Sequence, residues 1–154
     1  MSASSGTLVR SLSHLLAALI SNPSKFRRQW KQCQSGSDPS GILGRWQGHW
    51  ASQTSGHGGR LKCVLTRAET SGHDYEAYFF AVFARVLSVC YAVRLHGRQT
   101  DSGVHLEGET DIGRLAGGVY SYKGEVTPSG FRCAYRGSYD HGIFEMKKVL
   151  PPEL

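Results

Sequence analysis

Apolar and polar residues alternate through a series of short segments between residues 44 and 146, and this alternation restricts the fold more than any other feature. Leu61, Cys63 and Leu65, for example, share one face of such a segment, and Lys62 lies opposite. Residues two apart along a strand point to the same side of a sheet, so each segment has an inner and an outer face. The pattern predicts a domain built mostly from β-strands.

The distribution of glycine and proline also favours a strand-rich domain with tight turns. The chain has 19 glycines, and all but Gly6 and Gly36 lie at or after Gly41. No proline occurs between Pro39 and Pro128. Glycine permits tight turns without removing a backbone donor, whereas proline removes a donor from any strand ladder that it enters. We therefore expect a densely hydrogen-bonded sheet after residue 41.

Turn-forming residues divide the alternating region into strands. The expected strands are, approximately, residues 45–51, 60–67, 75–83, 88–96, 104–108, 118–125, 130–136 and 143–149. The short links between them favour an antiparallel meander, and closing it into a barrel removes the exposed edges. The predicted fold class is all-β, an eight-stranded up-and-down antiparallel barrel with an N-terminal helical arm. The arm occupies residues 1–41, the barrel domain residues 42–150, and a short tail residues 151–154.

Six apolar residues recur at helical spacing before the barrel and predict a helix over residues 7–21. They are Leu8, Leu12, Leu15, Leu16, Leu19 and Ile20. Asn22 and Pro23 are expected to end this helix, because a residue before proline disfavours the helical conformation. Arg10 before the apolar run also fits a secretory signal, and the shortage of acids fits an organelle transit peptide.

The outer face of the third expected strand, residues 75–83, is unusually apolar. Tyr78, Phe80 and Val82 lie opposite the inward row that contains Phe79. Contiguous apolar surface is rarely left exposed on a folded domain. We therefore expect the N-terminal helix to cover this face of the barrel.

The net charge of +6 is concentrated in the N-terminal arm. Cations and aromatic rings interleave there as Lys25, Phe26, Arg27, Arg28, Trp30 and Lys31. Such a segment can bind nucleic acid by charge and stacking, or an anionic lipid by charge. A solvated helix face carries the same residues without any partner. The predicted partner is an anionic surface contacted by Lys25, Arg27, Arg28 and Lys31, and no motif specific for nucleic acid is present.

The 4 cysteines, Cys33, Cys63, Cys90 and Cys133, are far apart in sequence and form no C-x-x-C motif. Cys63 and Cys133 alternate with their neighbours as buried thiols on strands do, and a buried thiol behaves as a small apolar group. We expect no disulfide framework. A reducing compartment, and hence a cytoplasmic location, follows as a prediction.

The motif Gly44-Arg45-Trp46 resembles the first strand of the calycins, the class of barrels that includes lipocalins and fatty-acid-binding proteins. The resemblance extends in outline over residues 42–149, and avidin-like and nitrobindin-like barrels share the same Gly-x-Trp opening. It implies that the tryptophan packs across a closed end of the barrel beside a basic residue of the last strand, here Lys147 or Lys148. The second Gly-x-Trp at residues 48–50 and the absence of an evident inter-strand disulfide depart from the lipocalin pattern. The resemblance implies the fold and no catalytic residue.

Aromatic residues at inward positions are the best candidates for a binding site. The predicted ligand-binding residues are Trp46, Trp50, Phe79, Tyr91, Tyr120 and Tyr135. A mostly apolar cavity with a few hydroxyl groups is typical of sites for small ligands. The same rings can instead fill the interior, because side chains nearly fill an eight-stranded barrel.

Catalytic and metal-binding signatures are not found in the sequence. None of the 7 histidines forms an H-x-H or H-x-x-x-H pair, so no metal site is predicted. A haem-binding barrel would use His105 or His141 as its axial ligand. An enzyme of the barrel-isomerase kind would need Glu76 or His105 inside the barrel. We predict no catalytic residue and no cofactor.

Three functions follow, in order of preference. The first is non-catalytic binding of a small apolar or amphipathic ligand by a monomeric barrel. The second is an interaction module whose basic arm docks on anionic lipid or nucleic acid while the barrel is a filled scaffold. The third is the isomerase-type enzyme.

Overall fold

A computed structural model describes residues 23–33, 38–69, 72–83, 87–111 and 118–150. The elements in these ranges are the helix α1 (Pro23–Gln32) and the strands β1 (Gly44–Ser52), β2 (Gly58–Arg67), β3 (Tyr75–Phe83), β4 (Leu87–Gln99), β5 (Val104–Asp111), β6 (Val119–Val126), β7 (Phe131–Arg136) and β8 (His141–Lys148). The strands pair in sequence order and β8 returns to β1, which closes the barrel. The predicted eight-stranded, up-and-down antiparallel barrel is confirmed.

The fourth and fifth strands are longer than the alternation indicated. Their hairpin continues through the pairs Arg98↔His105 and Gln99↔Val104. It then turns at a hydrogen bond of 2.8 Å from the Thr100 N–H to the Gly103 carbonyl. Backbone pairing does not depend on the polarity of the side chains, so polar residues extend these strands beyond their apolar part.

Aromatic and aliphatic side chains from all eight strands fill the barrel interior. Phe144 is central among them, with its ring centroid 4.9 Å from that of Tyr135 and 5.4 Å from that of Phe79. Trp46 and Trp50 both point inward, at 0% and 6% exposure. The inner and outer faces predicted from the alternation are confirmed, and the described inward side chains pack against one another.

The residue between the two tryptophans, Gly48, must be a glycine for a steric reason. It lies opposite Met146 in the pairing that closes β1 onto β8. A Cβ atom at this glycine would come within 1.9 Å of the backbone oxygen of Glu145. Only glycine therefore allows the first and last strands to approach this closely.

The end of the barrel near Trp46 is closed by the segment before β1. The Trp46 indole N–H donates to the Ile42 carbonyl at 2.9 Å. Lys148 places its Nζ 5.5 Å from the centre of the Trp46 ring and donates to the Gly41 carbonyl at 2.6 Å. Of the two expected basic residues, Lys148 is thus the one beside the tryptophan. We refer to this part of the barrel as the closed end.

Asp38 holds the closing segment in its turn. Its carboxylate accepts hydrogen bonds from the backbone N–H groups of Ser40, Ile42 and Leu43 at 2.9–3.1 Å. Partial burial raises the pKa of Asp38, but these bonds and the Ser40 hydroxyl outweigh it and lower the pKa to about 2. The carboxylate charge therefore stabilises the closed end.

Within the described chain, a helix that follows residue 22 packs on the apolar outer face of β3. The helix predicted over residues 7–21 lies outside the described residues. The covering helix is α1, which begins at Pro23, the residue expected to terminate a helix. Proline is favourable in the first turn of a helix, because its missing N–H has no partner there anyway. The Phe26 ring stacks on Phe80 with centroids 5.4 Å apart.

No described helix is both long and apolar enough to cross a membrane. The 4 cysteines, all within the described ranges, form no disulfide. Burial raises the pKa of Cys133 to about 12, so this thiol stays protonated. The cytoplasmic location inferred from the cysteines stays a prediction.

Candidate functional site

The six residues predicted to bind a ligand occupy inward-facing positions, and five of them are almost completely buried. These five are Trp46, Trp50, Phe79, Tyr120 and Tyr135. Their rings contact other side chains of the core. At the end of the barrel away from Trp46, Trp50 donates its indole N–H to the Val82 carbonyl at 3.0 Å. The structure therefore brings these residues together as a packed interior.

Tyr91, the sixth, is only partly buried and lies beside a short strand ladder. The pairing of β4 with β5 runs from Leu95 to Gln99. Within the described chain, no register pair joins residues 87–94 to β5. The Tyr91 ring stacks on Phe79 at 5.2 Å, and burial beside Tyr122 raises the pKa of the Tyr91 hydroxyl well above its ordinary value. Burial therefore keeps the Tyr91 hydroxyl in its neutral form.

A cluster of polar side chains joins two loops at the end of the barrel opposite the closed end. Asp140 accepts hydrogen bonds from the Ser52 hydroxyl at 2.6 Å and from the Tyr135 hydroxyl at 3.0 Å. Beside it, the Thr54 hydroxyl lies 3.0 Å from Nδ1 of His141. Burial and the neighbouring Asp140 carboxylate raise the pKa of Tyr135. These groups satisfy one another, which is the arrangement of a structural link between loops.

The residues needed by the isomerase hypothesis lie outside the barrel, which is a correction of that placement. Glu76 lies between Thr66 and Arg94 on the outer face of the sheet. His105 also faces outward, with its ring nitrogens 3.0 Å from Glu107 and 3.1 Å from Glu125. The hydrogen bonds to these two acids, that of Glu107 first, raise the pKa of His105. Neither group can act on a substrate held in the interior.

The haem alternative meets the same difficulty, because His141 also occupies an outward-facing position, next to the inward Gly142 of β8. Among the described residues, no three or more His, Cys, Asp or Glu side chains come together as a group that could hold a metal ion.

Positive charge is concentrated on one side of the molecule. We call this side the basic face, and it consists of Lys25, Arg27, Arg28, Lys31, Arg45, Arg60 and Lys62. Among the described residues of β1–β4, Glu76 is the acid at an outward position; it lies opposite Arg94 in the strand pairing, and its carboxylate accepts a hydrogen bond from the Tyr78 hydroxyl. The outward positions of β5–β8 instead mix both signs: Lys123, Arg132, Arg136 and Lys147 with Glu107, Glu109, Asp111, Glu125 and Glu145.

Cation–aromatic contacts fasten α1 to the barrel within the basic face. The Trp30 ring lies between Arg45, at 5.5 Å, and the Nζ of Lys62, at 5.0 Å. At the other end of the helix, Lys25 lies 5.3 Å from the centre of the Tyr78 ring. Such contacts are worth roughly 0.5–1 kcal/mol each at exposed sites. They fix the orientation of the helix, which leaves Arg27, Arg28 and Lys31 exposed to solvent.

Three members of the basic face, Arg45, Arg60 and Lys62, were not singled out from the sequence. They belong to two different strands, and the pairing of β1 with β2 brings Arg45 and Lys62 to the same ring of the helix, with Arg60 on the same outward face of β2 as Lys62. Their outward positions follow from the alternation, so the sequence did contain part of the signal.

The chain was compared with protein-family models, with curated proteins and with solved structures, and none matched. The calycin resemblance therefore stays a prediction. The contact between Lys148 and Trp46 agrees with what that resemblance implies for the closed end.

Proposed function

We propose that the protein is a non-catalytic module that docks on an anionic lipid surface through its basic face. The observation that carries the proposal is the charge asymmetry of the folded domain, which has cations on α1, β1 and β2 and balanced charge on β5–β8. A lysine or arginine close to an anionic membrane contributes about 1 kcal/mol of attraction. Several such residues on one side orient the domain as well as attract it.

A lipid surface fits these residues better than nucleic acid. Proteins that bind single-stranded nucleic acid stack the bases on accessible aromatic rings. In α1, Phe26 is buried and Trp30 is held between two cations, so the rings serve the packing of the helix. The exposed groups supply charge alone. In the sequence, the apolar run from Leu8 to Ile20 leads directly into α1, and a basic cluster beside an apolar segment is typical of membrane-surface binding.

The test is vesicle co-sedimentation of a charge-reversal variant and a matched control. Arg28→Glu/Lys31→Glu reverses two exposed cations of the basic face. Lys123→Glu/Arg136→Glu makes the same change in net charge on β6 and β7, across the barrel from β2 and β3. With vesicles that contain phosphatidylserine, we expect the first variant to bind at least about 10-fold more weakly and the second to bind nearly as well as the native protein.

Salt and lipid composition complete this experiment. Raising the ionic strength from about 0.01 M to about 0.15 M shortens the Debye length and should release the protein. Equal binding to phosphatidylserine and to pure phosphatidylcholine vesicles, or equal losses in the two double variants, would refute the proposal.

A second candidate is binding of a small apolar ligand in the interior, and the position of Tyr91 favours it. A partly exposed inward residue beside a short strand ladder offers a point of entry, because fewer backbone hydrogen bonds hold β4 to β5 there. Any ligand would have to displace the packed rings around Phe144. Native mass spectrometry and tryptophan fluorescence with a panel of lipids, haem and flavin test this candidate, and no response from either method rejects it.

A further inference from the structure

A small cleft lies where the N-terminal part of α1 meets β3 and β4. Its volume is about 80 Å³, and its lining includes Lys25, Phe26, Tyr78, Cys90 and Ala92. A water molecule needs roughly 10–15 Å³ of cavity volume, so the cleft has room for a group of several non-hydrogen atoms. It can hold one end of a ligand and not a whole one.

The walls of the cleft are mostly apolar. Phe26 is 5% exposed and Cys90 is 6% exposed, and both belong to the apolar cluster under the helix. Ala92 contributes a small side chain on the exposed surface of β4. A group that enters the cleft would therefore contact carbon and sulfur atoms, which favours an apolar group.

One cation, Lys25, lines the cleft, and Arg27 lies on the same short helix two residues further on. Lys25 lies over the Tyr78 ring. Arg27 is near enough to Cys90 to lower the pKa of its thiol, although burial is the larger influence and raises it. An anionic group placed beside these cations would gain charge attraction while its apolar continuation entered the cleft.

Among the described residues, no strand other than β3 pairs in register with the part of β4 that borders the cleft. Cys90 and Ala92 lie in residues 87–94, for which the described chain has no register pair with β5. The Ala92 carbonyl accepts a hydrogen bond from the Thr110 side chain at 3.4 Å, a long contact. The small size of Ala92 thus leaves the cleft accessible from this side.

We propose that this cleft binds a single anionic membrane lipid, with the head group at Lys25 and Arg27 and the adjoining apolar atoms between Phe26 and Ala92. The proposal rests on the proposed docking function and deepens it, because it names a site for one lipid molecule within the basic face. General attraction by the basic face requires only surface charge. The cleft adds a preference for a ligand that combines negative charge with an apolar chain.

The test uses short-chain lipids that dissolve as single molecules. Dihexanoyl-phosphatidylserine, kept below its micelle concentration, is titrated into the full chain by calorimetry, and dihexanoyl-phosphatidylcholine serves as the zwitterionic comparison. We expect the anionic lipid to bind at least about 10-fold more tightly, which corresponds to about 1.4 kcal/mol.

A cleft-filling substitution and its matched control locate the site. Ala92→Phe places a ring in the cleft, and Ala134→Phe makes the same change at an exposed outward position of β7 on the opposite side. Filling the cleft should weaken the phosphatidylserine titration at least about 10-fold, whereas Ala134→Phe should leave it unchanged. Lys25→Glu, which keeps the cleft open, should also weaken it. Circular dichroism of each variant verifies the fold.

The results separate this proposal from the docking function. Ala92→Phe should keep its salt-dependent binding to phosphatidylserine vesicles, because the exposed cations are unchanged. Absence of monomeric lipid binding by the native chain, or equal binding by Ala92→Phe, overturns the cleft site while the docking function stands. A cleft already filled by residues 1–22 of the same chain gives the same absence of binding and likewise overturns it. Loss of vesicle binding in the native protein overturns the docking function instead.

Discussion

The molecule has two apolar clusters, one inside the barrel and one outside it under α1, and they are held in different ways. The inner cluster is enclosed by strand pairing on every side, from β1–β2 around to β8–β1. The outer cluster is centred on Phe26, Val64 and Cys90 and is enclosed by one helix of ten residues. A helix of this length is marginal in water by itself, so its packing on the barrel must stabilise it. The outer cluster can therefore open locally while the inner one stays intact.

The largest effect is expected inside the barrel. Phe144→Ala removes the ring that contacts Phe79, Tyr122 and Tyr135. Loss of a buried phenyl ring without collapse of its surroundings typically costs about 3–5 kcal/mol. Urea unfolding followed by near-ultraviolet circular dichroism should show one cooperative transition at a much lower urea concentration. A free energy of unfolding within about 1 kcal/mol of the native value would mean that the interior is not tightly packed around Phe144.

Phe26→Ala tests the outer cluster in the same way. The variant loses the stack on Phe80, but its cost cannot exceed the free energy that docks α1, because the helix can detach while the barrel remains folded. We expect a loss below about 2 kcal/mol, with faster hydrogen exchange in α1 and stronger binding of an apolar dye. Global unfolding as severe as that of Phe144→Ala would show that the two clusters form one cooperative unit.

Asp38 tests whether closure of the barrel end contributes to the inner cluster. The pKa of Asp38 is about 2 in the folded chain, below the ordinary 3.8. Its contribution is therefore present above pH 4 and is lost as the pH falls through 2, because the unfolded chain takes up the proton first. Asp38→Asn should reduce stability near neutral pH by about 1 kcal/mol after allowance for solvent, and it should flatten this part of the pH profile. Parallel pH profiles for the native and variant chains would contradict the assignment.

His105 gives the smallest expected effect, because it lies outside both clusters. Its raised pKa means that its pairing with Glu107 and Glu125 stabilises the fold below the ordinary pKa of 6.5 and loses this effect as the pH rises through the folded-state value. His105→Gln should change the urea midpoint only slightly, and only at acidic pH. Nuclear magnetic resonance titration of the ring checks the direction of the shift, and a pKa below 6.5 would contradict it.

Sequence reasoning predicted the inner cluster better than the outer one, for a physical reason. Inward residues such as Trp46, Cys63 and Phe131 repeat with the period of a strand, so the pattern assigns their face directly. The outer cluster depends on which helix covers β3, and the helix that begins at Pro23 was not predicted from the sequence. Phe26 and Trp30 were noted as aromatic partners for nucleic acid, yet they pack on the barrel.

The candidate site was partly predictable. The cations of α1 were identified from the local sequence. Their position beside Arg45 and Lys62 depends on strand pairing between distant residues and was not predicted. Alternation also cannot say whether inward rings enclose a space or fill it, because volume depends on the radius of the closed barrel. The packing around Phe144 became evident only from the three-dimensional arrangement.

Because β1 pairs with β8, the strands form a closed ring. Which strand comes first in the chain is therefore set by the covalent connections and does not affect the packing. The Val149 N–H donates to the Arg45 carbonyl at 2.8 Å, which brings the two ends of the barrel segment side by side. A short peptide can therefore join them, and new ends can be placed in the exposed turn at residues 100–103. Such a circular permutant should keep the inner cluster, since every strand retains both of its neighbours.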